Sequence, residues 1–131
     1  MKIKQTTFYA LLAIRRIYVE NREIVTSKLI SEKEGISQGV LLRILRSLDN
    51  AGIVQAHQGR GTAYGGFSLA RNIDEITLLD VVNTMEKVDI CIKLSEKDRK
   101  NEKELFLKCS QINERLKEEL SKYTVRELFE L

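Results

Sequence analysis

The feature that most constrains the fold is a glycine-dense segment, "GRGTAYGGFSLAR" at residues 59–71. Four glycines lie within its first eight residues. Glycine accepts backbone conformations that other residues avoid, and it lets the chain come close to another surface. "IVQAH" at 53–57 precedes the glycines, and "GFSLA" at 66–70 alternates apolar and polar residues after them. The segment therefore predicts a β-hairpin with the glycines in its turn.

Two helices joined by a tight turn are predicted just before this hairpin. Thr26 or Ser27 can cap a short helix that ends at Gly35. Ser37 can cap the next helix, over 38–50, whose apolar stripe is Leu41, Ile44, Leu45 and Leu48. "NAG" follows as a stop signal, with its glycine free to take positive φ. The pair is typical of a helix-turn-helix, and with the hairpin it becomes a winged helix-turn-helix.

Helical patterns also lie on both sides of this unit. Residues 6–20 repeat apolar side chains at steps of three and four: Phe8, Leu11, Leu12, Ile14 and Tyr18. Thr77 can cap "LLDVVNTME", residues 87–98 are polar and predict a loop, and "TVRELFEL" predicts a short final helix. Between them a long helix over 100–122 carries the stripe Leu105, Cys109, Ile112, Leu116 and Leu120.

The expected fold is therefore mainly α with a small β-hairpin wing. A winged helix-turn-helix DNA-binding domain is predicted over 1–76, and a linker helix, loop and long dimerisation helix over 77–131. The stripe on the long helix has coiled-coil spacing. It could pack on its own domain or pair with a second copy of the chain. The second alternative is favoured, because a chain of 131 residues offers that helix little else to pack against.

Charge is distributed unevenly along the chain. Residues 1–71 contain 11 Lys and Arg against 5 Asp and Glu, whereas residues 72–131 contain 11 against 14. A basic first half suits a polyanion such as double-stranded DNA. No apolar run approaches the roughly 20 residues of a membrane span, and the amino-terminal stretch lacks a signal-peptide cleavage site. A cytoplasmic protein that does not enter the membrane is expected.

The sequence contains no recognisable catalytic site or metal site. His57 is the single histidine, and no nucleophile or carboxylate stands beside it in a known pattern. The glycine-dense segment lacks the lysine of a phosphate-binding loop and leads into a strand. Cys91 and Cys109 alone are too few ligands for a closed metal centre. An enzyme is therefore not expected, and no metal ligand is assigned.

"GISQGVLLRILRSLDNAGIV" followed by "GRGTAYGGFSLAR" resembles the Rrf-two type of bacterial winged helix-turn-helix transcription regulator. That family includes an iron–sulfur assembly regulator, a nitric-oxide-sensing repressor and a cysteine-metabolism repressor. The residues of the first part that match the family pattern are Ile36, Ser37, Leu41, Ile44, Leu45, Leu48, Gly52, Ile53 and Val54. Those of the wing are Arg60, Gly61, Gly65, Gly66, Phe67, Leu69 and Ala70.

The resemblance implies a homodimer on a palindromic operator, with one helix of each subunit in a major groove and one wing in a minor groove. A repressor is the expected role, and the sequence indicates no effector. The expected DNA contacts are Ser37, Gln38, Gly39, Arg43, Arg46, Arg60 and Thr62. Gln58 competes with Arg60 for the position of the wing residue. A protein-interaction module that uses the winged helix as a scaffold is the alternative function.

Cofactor use is the point at which the chain departs from cluster-binding relatives. Those relatives carry three cysteines after the wing helix, whereas here only Cys91 and Cys109 are comparable, and Ile112 stands where one relative has a histidine ligand. No cofactor is therefore expected. Three alternatives stay open: an iron–sulfur cluster completed by carboxylates such as Glu86 or Asp89 or by the partner subunit, a redox switch of the two thiols, or purely structural cysteines.

Overall fold

The computed structural model of the chain describes residues 2–59, 65–86 and 96–131. Three helices come first: α1 (Gln5–Glu20), α2 (Ser27–Glu34) and α3 (Gln38–Asn50). A two-stranded sheet follows, β1 (Val54–His57) and β2 (Gly66–Leu69), and then a 3₁₀ turn, Ile73–Glu75. The remaining helices are α4 (Leu78–Met85), α5 (Glu96–Asn101), α6 (Lys103–Ser121) and α7 (Val125–Phe129).

The helix-turn-helix forms where the sequence predicts it. Thr26 caps α2 by accepting a hydrogen bond from the N–H group of Leu29 at 3.2 Å. Gly35 and Gly52 take positive φ of 68° and 74°, which explains why glycine suits both ends. Ser37 occupies the N-cap position of α3, but its side chain makes no capping hydrogen bond, so that part of the prediction is wrong. The hydroxyl is instead exposed at the surface.

α1 is the central helix of the fold, since it packs against α2, α3, α4, α7 and β2. Its buried residues are Thr7, Ala10, Leu11, Ala13, Ile14 and Ile17. Leu11 and Ile14 of the predicted stripe are buried, whereas Phe8 is 51% exposed, so its place in the stripe is wrong. Alanines at two buried positions let neighbouring helices approach α1 closely, so its buried face is broader than the spacing of large apolar residues indicates.

The wing is an antiparallel hairpin in which Val54 pairs with Leu69 and His57 with Gly66. A third segment joins it, because Val25 and Phe67 exchange two backbone hydrogen bonds of 2.9 and 2.8 Å. A Cβ atom on Gly66 would lie 2.6 Å from the carbonyl oxygen of Val25. Gly66 does not have positive φ. The sequence suggests two roles for these glycines, an unusual backbone conformation or close approach to another surface. Gly66 has the second role, because it lies directly against the backbone of Val25.

The carboxyl-terminal residues return to the winged helix after α6. Val125 donates its N–H group to the carbonyl of Ile76, and Leu78 donates to that of Tyr123, both at 2.8 Å. Val125 is fully buried in the same core as α1 and α3. The guanidinium of Arg126 adds a hydrogen bond of 2.8 Å to the hydroxyl of Tyr18 on α1. One end of α6 is therefore fixed to the winged helix.

The helices after the wing differ in detail from the prediction. Thr77 and Asp80 form a reciprocal capping box at the start of α4, as the sequence indicates for Thr77. The long helix begins at Lys103 and a separate short helix, α5, precedes it, so residues 96–98 are helical and not part of a loop. The other residues of the predicted loop, 87–95, lie outside the described residues.

Candidate nucleic-acid interface

The outer face of α3 is polar and exposed. Leu41, Ile44, Leu45 and Leu48 point into the core, and each is at most 2% exposed. On the opposite side Gly39, Arg43 and Arg46 recur at steps of four and three, and all three are exposed. A Cβ atom on Gly39 would find open space within 4 Å. A helix with this division buries its apolar side and turns two arginines outward, and we call Gly39, Arg43 and Arg46 the α3 stripe.

The two arginines of α3 are not engaged elsewhere in the described part of the chain, unlike most others. Arg16 binds Glu34 at 3.1 Å and Glu20 at 3.3 Å. Arg71 and Arg126 are also paired, with Asp80 and Asp74 respectively. In contrast, Arg43 and Arg46 form no ion pair with any described residue. Their guanidinium groups are therefore available to phosphates and base edges outside the protein.

A groove between α1 and α3 extends this surface. Its lining comes from the first turns of α1, from α3 and from the end of α4: Gln5, Thr6, Tyr9, Ser37, Val40, Arg43, Ile44, Ser47 and Met85. Lys2 and Lys4 are exposed just before α1. Polar groups of the first turns of α1 thus lie on the same side of the molecule as Arg43 of α3.

A second groove lies at the other edge of α3, between α2 and the base of the wing. It is lined by Thr26, Ser27, Lys28, Gln38 and Gly65. The Nε2 of Gln38 donates to Oγ of Ser27 at 3.1 Å, which ties the first turns of the two helices together. Gln38 is nonetheless exposed. The α3 surface is therefore bordered by α1 on one side and by α2 and the wing on the other.

The hairpin tip is only partly described. Arg60 and Thr62, the expected wing contacts, lie outside the described residues, as does Cys91. Gln58, the competing wing residue, is exposed. His57 lies on β1, where its Nε2 is 2.7 Å from Oγ of Ser68 across the hairpin.

Glu86 at the end of α4 is a residue whose role the sequence does not reveal. Its Oε2 accepts hydrogen bonds from Thr7 Oγ1 at 2.6 Å and from the N–H group of Lys4 at 3.0 Å. The Thr7 bond lowers the pKa of the Glu86 carboxyl; burial opposes this change, and the N–H group and charge of Lys4 add to it. Lys4 and Thr7 lie 82 and 79 residues before Glu86 in the sequence, and no sequence motif links positions so far apart. The fold alone brings them together.

The stripe on α6 remains largely uncovered in the single chain. No described residue of this helix is fully buried. Leu105 and Ile112 are 53% and 48% exposed, while Cys109, Leu116 and Leu120 are half-buried. Phe106 and Leu107 are exposed as well. Large apolar side chains exposed in this number on one helix are typical of an interaction surface.

The described residues do not form a metal site. Among them, no three His, Cys, Asp or Glu side chains cluster closely enough to hold an ion. Cys109 is a free thiol on α6, and the Glu86 oxygen that could have served as a ligand is already used by Thr7 and Lys4. Cys109 is the single thiol among the residues that the structure describes, fewer than the ligands of an iron–sulfur cluster, and Cys91 lies outside them. Within the same residues, no helix is long and apolar enough to cross a membrane.

Comparison with known proteins agrees with the sequence resemblance. The sequence model of the Rrf2 (Rrf-two) family, described as "Iron-dependent Transcriptional regulator", matches residues 3–131. The HTH-type transcriptional regulator CymR of Bacillus subtilis is 29% identical over 129 residues, which is 98% of this chain and 89% of that protein. "Protein rrf2" of Nitratidesulfovibrio vulgaris is 31% identical over 74 residues, or 56% of this chain and 47% of that protein.

Solved structures show the same architecture. The structure of CymR, the global cysteine regulator of B. subtilis, superposes with a TM-score of 0.69 at 25% identity, covering 98% of this chain and 95% of that one. The structure of T. potens IscR has a TM-score of 0.68 at 23% identity and covers 99% and 87% of the two chains. The prediction of a mainly helical fold with a hairpin wing is confirmed.

Proposed function

Because this chain belongs to the Rrf2 family of DNA-binding transcriptional regulators, we propose that it binds a palindromic operator as a homodimer and represses the genes beside it. Each subunit places α3 in a major groove and its wing in the adjacent minor groove. A regulator of this kind acts in the cytoplasm and has no catalytic role.

One observation carries the proposal: the exposed stripe of Gly39, Arg43 and Arg46, whose arginines have no ion-pair partner in the described part of the chain. An arginine can bind the O6 and N7 atoms of guanine with two parallel hydrogen bonds. Glycine at position 39 lets the backbone of α3 approach the DNA without a side chain in between. Ser37 and Gln38, at the exposed start of the same helix, would contact the phosphate backbone.

The hairpin supplies the second contact of each subunit. In the proposed complex Arg60 enters the minor groove, where narrow A·T tracts concentrate negative potential, and Thr62 contacts the sugar–phosphate backbone. The short distance between Gly66 and Val25 supports a rigid base for this wing, because the hairpin is held to a third segment of backbone.

The proposed homodimer forms through α6. Its stripe is a coiled-coil-like series, and a second copy would bury the exposed leucine and isoleucine side chains that the single chain leaves in water. Leu116→Glu places a charge in this seam and is expected to yield monomers or unfolded protein. Light scattering at micromolar concentration measures the mass. A monomeric wild-type protein would contradict the proposed dimer.

We propose further that the regulator works without a cofactor. Cys109 behaves as a small apolar residue of the α6 stripe. Any oxidant response would depend on Cys91, whose thiol must be exposed and have a depressed pKa to react. The two cysteines together supply half the ligands of a [2Fe–2S] centre.

The experiment measures binding to DNA taken from beside the protein's own gene. We expect affinity to fall at least about tenfold between roughly 50 and 200 mM salt, since several phosphates are neutralised per dimer. Arg43→Ala and Arg46→Ala should each weaken binding by about 1–3 kcal/mol. Arg99→Ala is the control, because Arg99 is an exposed arginine of α5, outside the winged helix. Absence of salt-dependent binding would favour the protein-interaction module instead.

A further inference from the structure

We infer that Glu86 is a positioning residue for operator binding: its carboxylate fixes the first turn of α1 beside the recognition helix α3. The inference rests on the proposed function, since it assigns a role within the same DNA-binding surface. Glu86 is not among the expected DNA contacts and lies outside the stripe of α3.

The geometry places one carboxylate oxygen between two elements. Oε2 of Glu86 accepts from the backbone N–H of Lys4 at 3.0 Å and from Thr7 Oγ1 at 2.6 Å. Lys4 is the N-cap residue of α1, and its own side chain makes no capping hydrogen bond. Thr7 is fully buried, so its hydroxyl needs a partner inside the protein. The end of α4 thus supplies the acceptor that the start of α1 lacks.

The same turn of α1 borders the DNA-facing surface. Gln5, Thr6 and Tyr9 line one wall of the groove whose other wall is built by α3, with Ser37 and Arg43 among its residues. Met85, the neighbour of Glu86, lies at the end of this groove. A shift of the first turn of α1 would therefore change the width of the groove and the distance between Lys4 and Arg43. Contacts that must fit one DNA backbone tolerate little such displacement.

Electrostatics and positioning predict opposite outcomes when this carboxylate is removed. A negative charge near a DNA-binding surface repels phosphates, so its removal alone should strengthen binding slightly. If Glu86 positions α1, its removal should weaken binding. The sign of the change therefore separates the two effects, and a purely structural role would change stability without changing the affinity of the folded protein.

The test compares operator affinities of folded variants at one salt concentration, with folding checked by circular dichroism. Glu86→Ala is expected to bind about tenfold more weakly, the size typical of losing hydrogen bonds to a charged group. Glu75→Ala removes the same charge from an exposed position on the same body and should stay within about twofold of wild type. Glu86→Gln keeps an acceptor oxygen and should recover most of the affinity.

Thr7→Val provides the second measurement, because it removes the hydroxyl and nearly preserves the shape. We expect weaker binding than wild type. Adding Thr7→Val to Glu86→Ala should cause no further loss, since the Thr7 hydroxyl acts through its hydrogen bond to Glu86, which Glu86→Ala already removes. If Glu86→Ala does not fold, the operator affinities of Thr7→Val and Glu86→Gln test the inference. Operator binding equal to wild type in all folded variants would overturn the inference, whereas a wild-type protein that binds no operator would overturn the proposed function.

Discussion

Gly66→Ala tests whether the wing depends on close backbone contact. The added Cβ atom would lie 2.6 Å from the carbonyl oxygen and 2.9 Å from the carbonyl carbon of Val25. Both are backbone atoms, so neither can rotate away as a side chain would. To reach ordinary contact distance, Val25 and the hairpin must separate, and this weakens the two hydrogen bonds of 2.9 and 2.8 Å between Val25 and Phe67.

The expected loss follows from these two effects. Overpacking costs about 1–3 kcal/mol, and two weakened backbone hydrogen bonds cost about 0.5–1.5 kcal/mol each. Unfolding free energy should therefore fall by roughly 2–6 kcal/mol, and the Tm by on the order of 10 °C for a domain of this size. Operator affinity should fall as well in the protein that remains folded, because the wing moves relative to α3.

Gly39→Ala is the matched control. It adds the same methyl group on α3, where nothing lies within 4 Å. Alanine in a helix is more favourable than glycine by about 0.5–1 kcal/mol, so stability should be equal or higher. Because Gly39 lies on the proposed DNA-facing stripe, its operator affinity should nevertheless fall. Thermal unfolding and a DNA titration measure both variants, and a Gly66→Ala protein as stable as wild type would refute the reasoning.

Three further predictions concern the site and the cysteines. The fold lowers the pKa of the Glu86 carboxyl. The charged carboxylate therefore stabilises the fold above the unfolded pKa of 4.5, and this stabilisation is lost as the pH falls through the folded pKa. The Tm difference between wild type and Glu86→Gln should therefore vanish in acid. Arg60→Ala should weaken operator binding by about 1–3 kcal/mol without unfolding the protein, whereas loss of binding in Gln58→Ala alone would assign the wing contact to Gln58. Protein purified without oxygen should be colourless, and Cys91→Ser should remove any oxidant response while DNA binding persists; absorbance between about 320 and 460 nm with stoichiometric iron and sulfide would instead indicate a cluster on Cys91 and Cys109.

The local elements were predictable because their signals are local. A helix stop at Gly35, the buried stripe of α3 and the alternation after the glycines each follow from a few neighbouring residues. The family pattern places the wing and α3 in one unit, and the fold confirms this. The contacts of Arg43 and Arg46 with DNA remain predictions, and the structure adds that their guanidinium groups are free of partners among the described residues.

Pairings between residues far apart in the chain follow from the fold and from no local sequence signal. The spacing of large apolar residues left Phe8 on the predicted inner face of α1, whereas packing against several neighbours buried the small residues and Thr7 instead. Glycine content suggested a turn, but only the approach of Val25 shows why Gly66 cannot carry a side chain. Glu86 reaches Thr7 across 79 positions of sequence. Periodicity reports which side of an element is apolar; it contains no information about which distant element covers that side or which polar groups meet there.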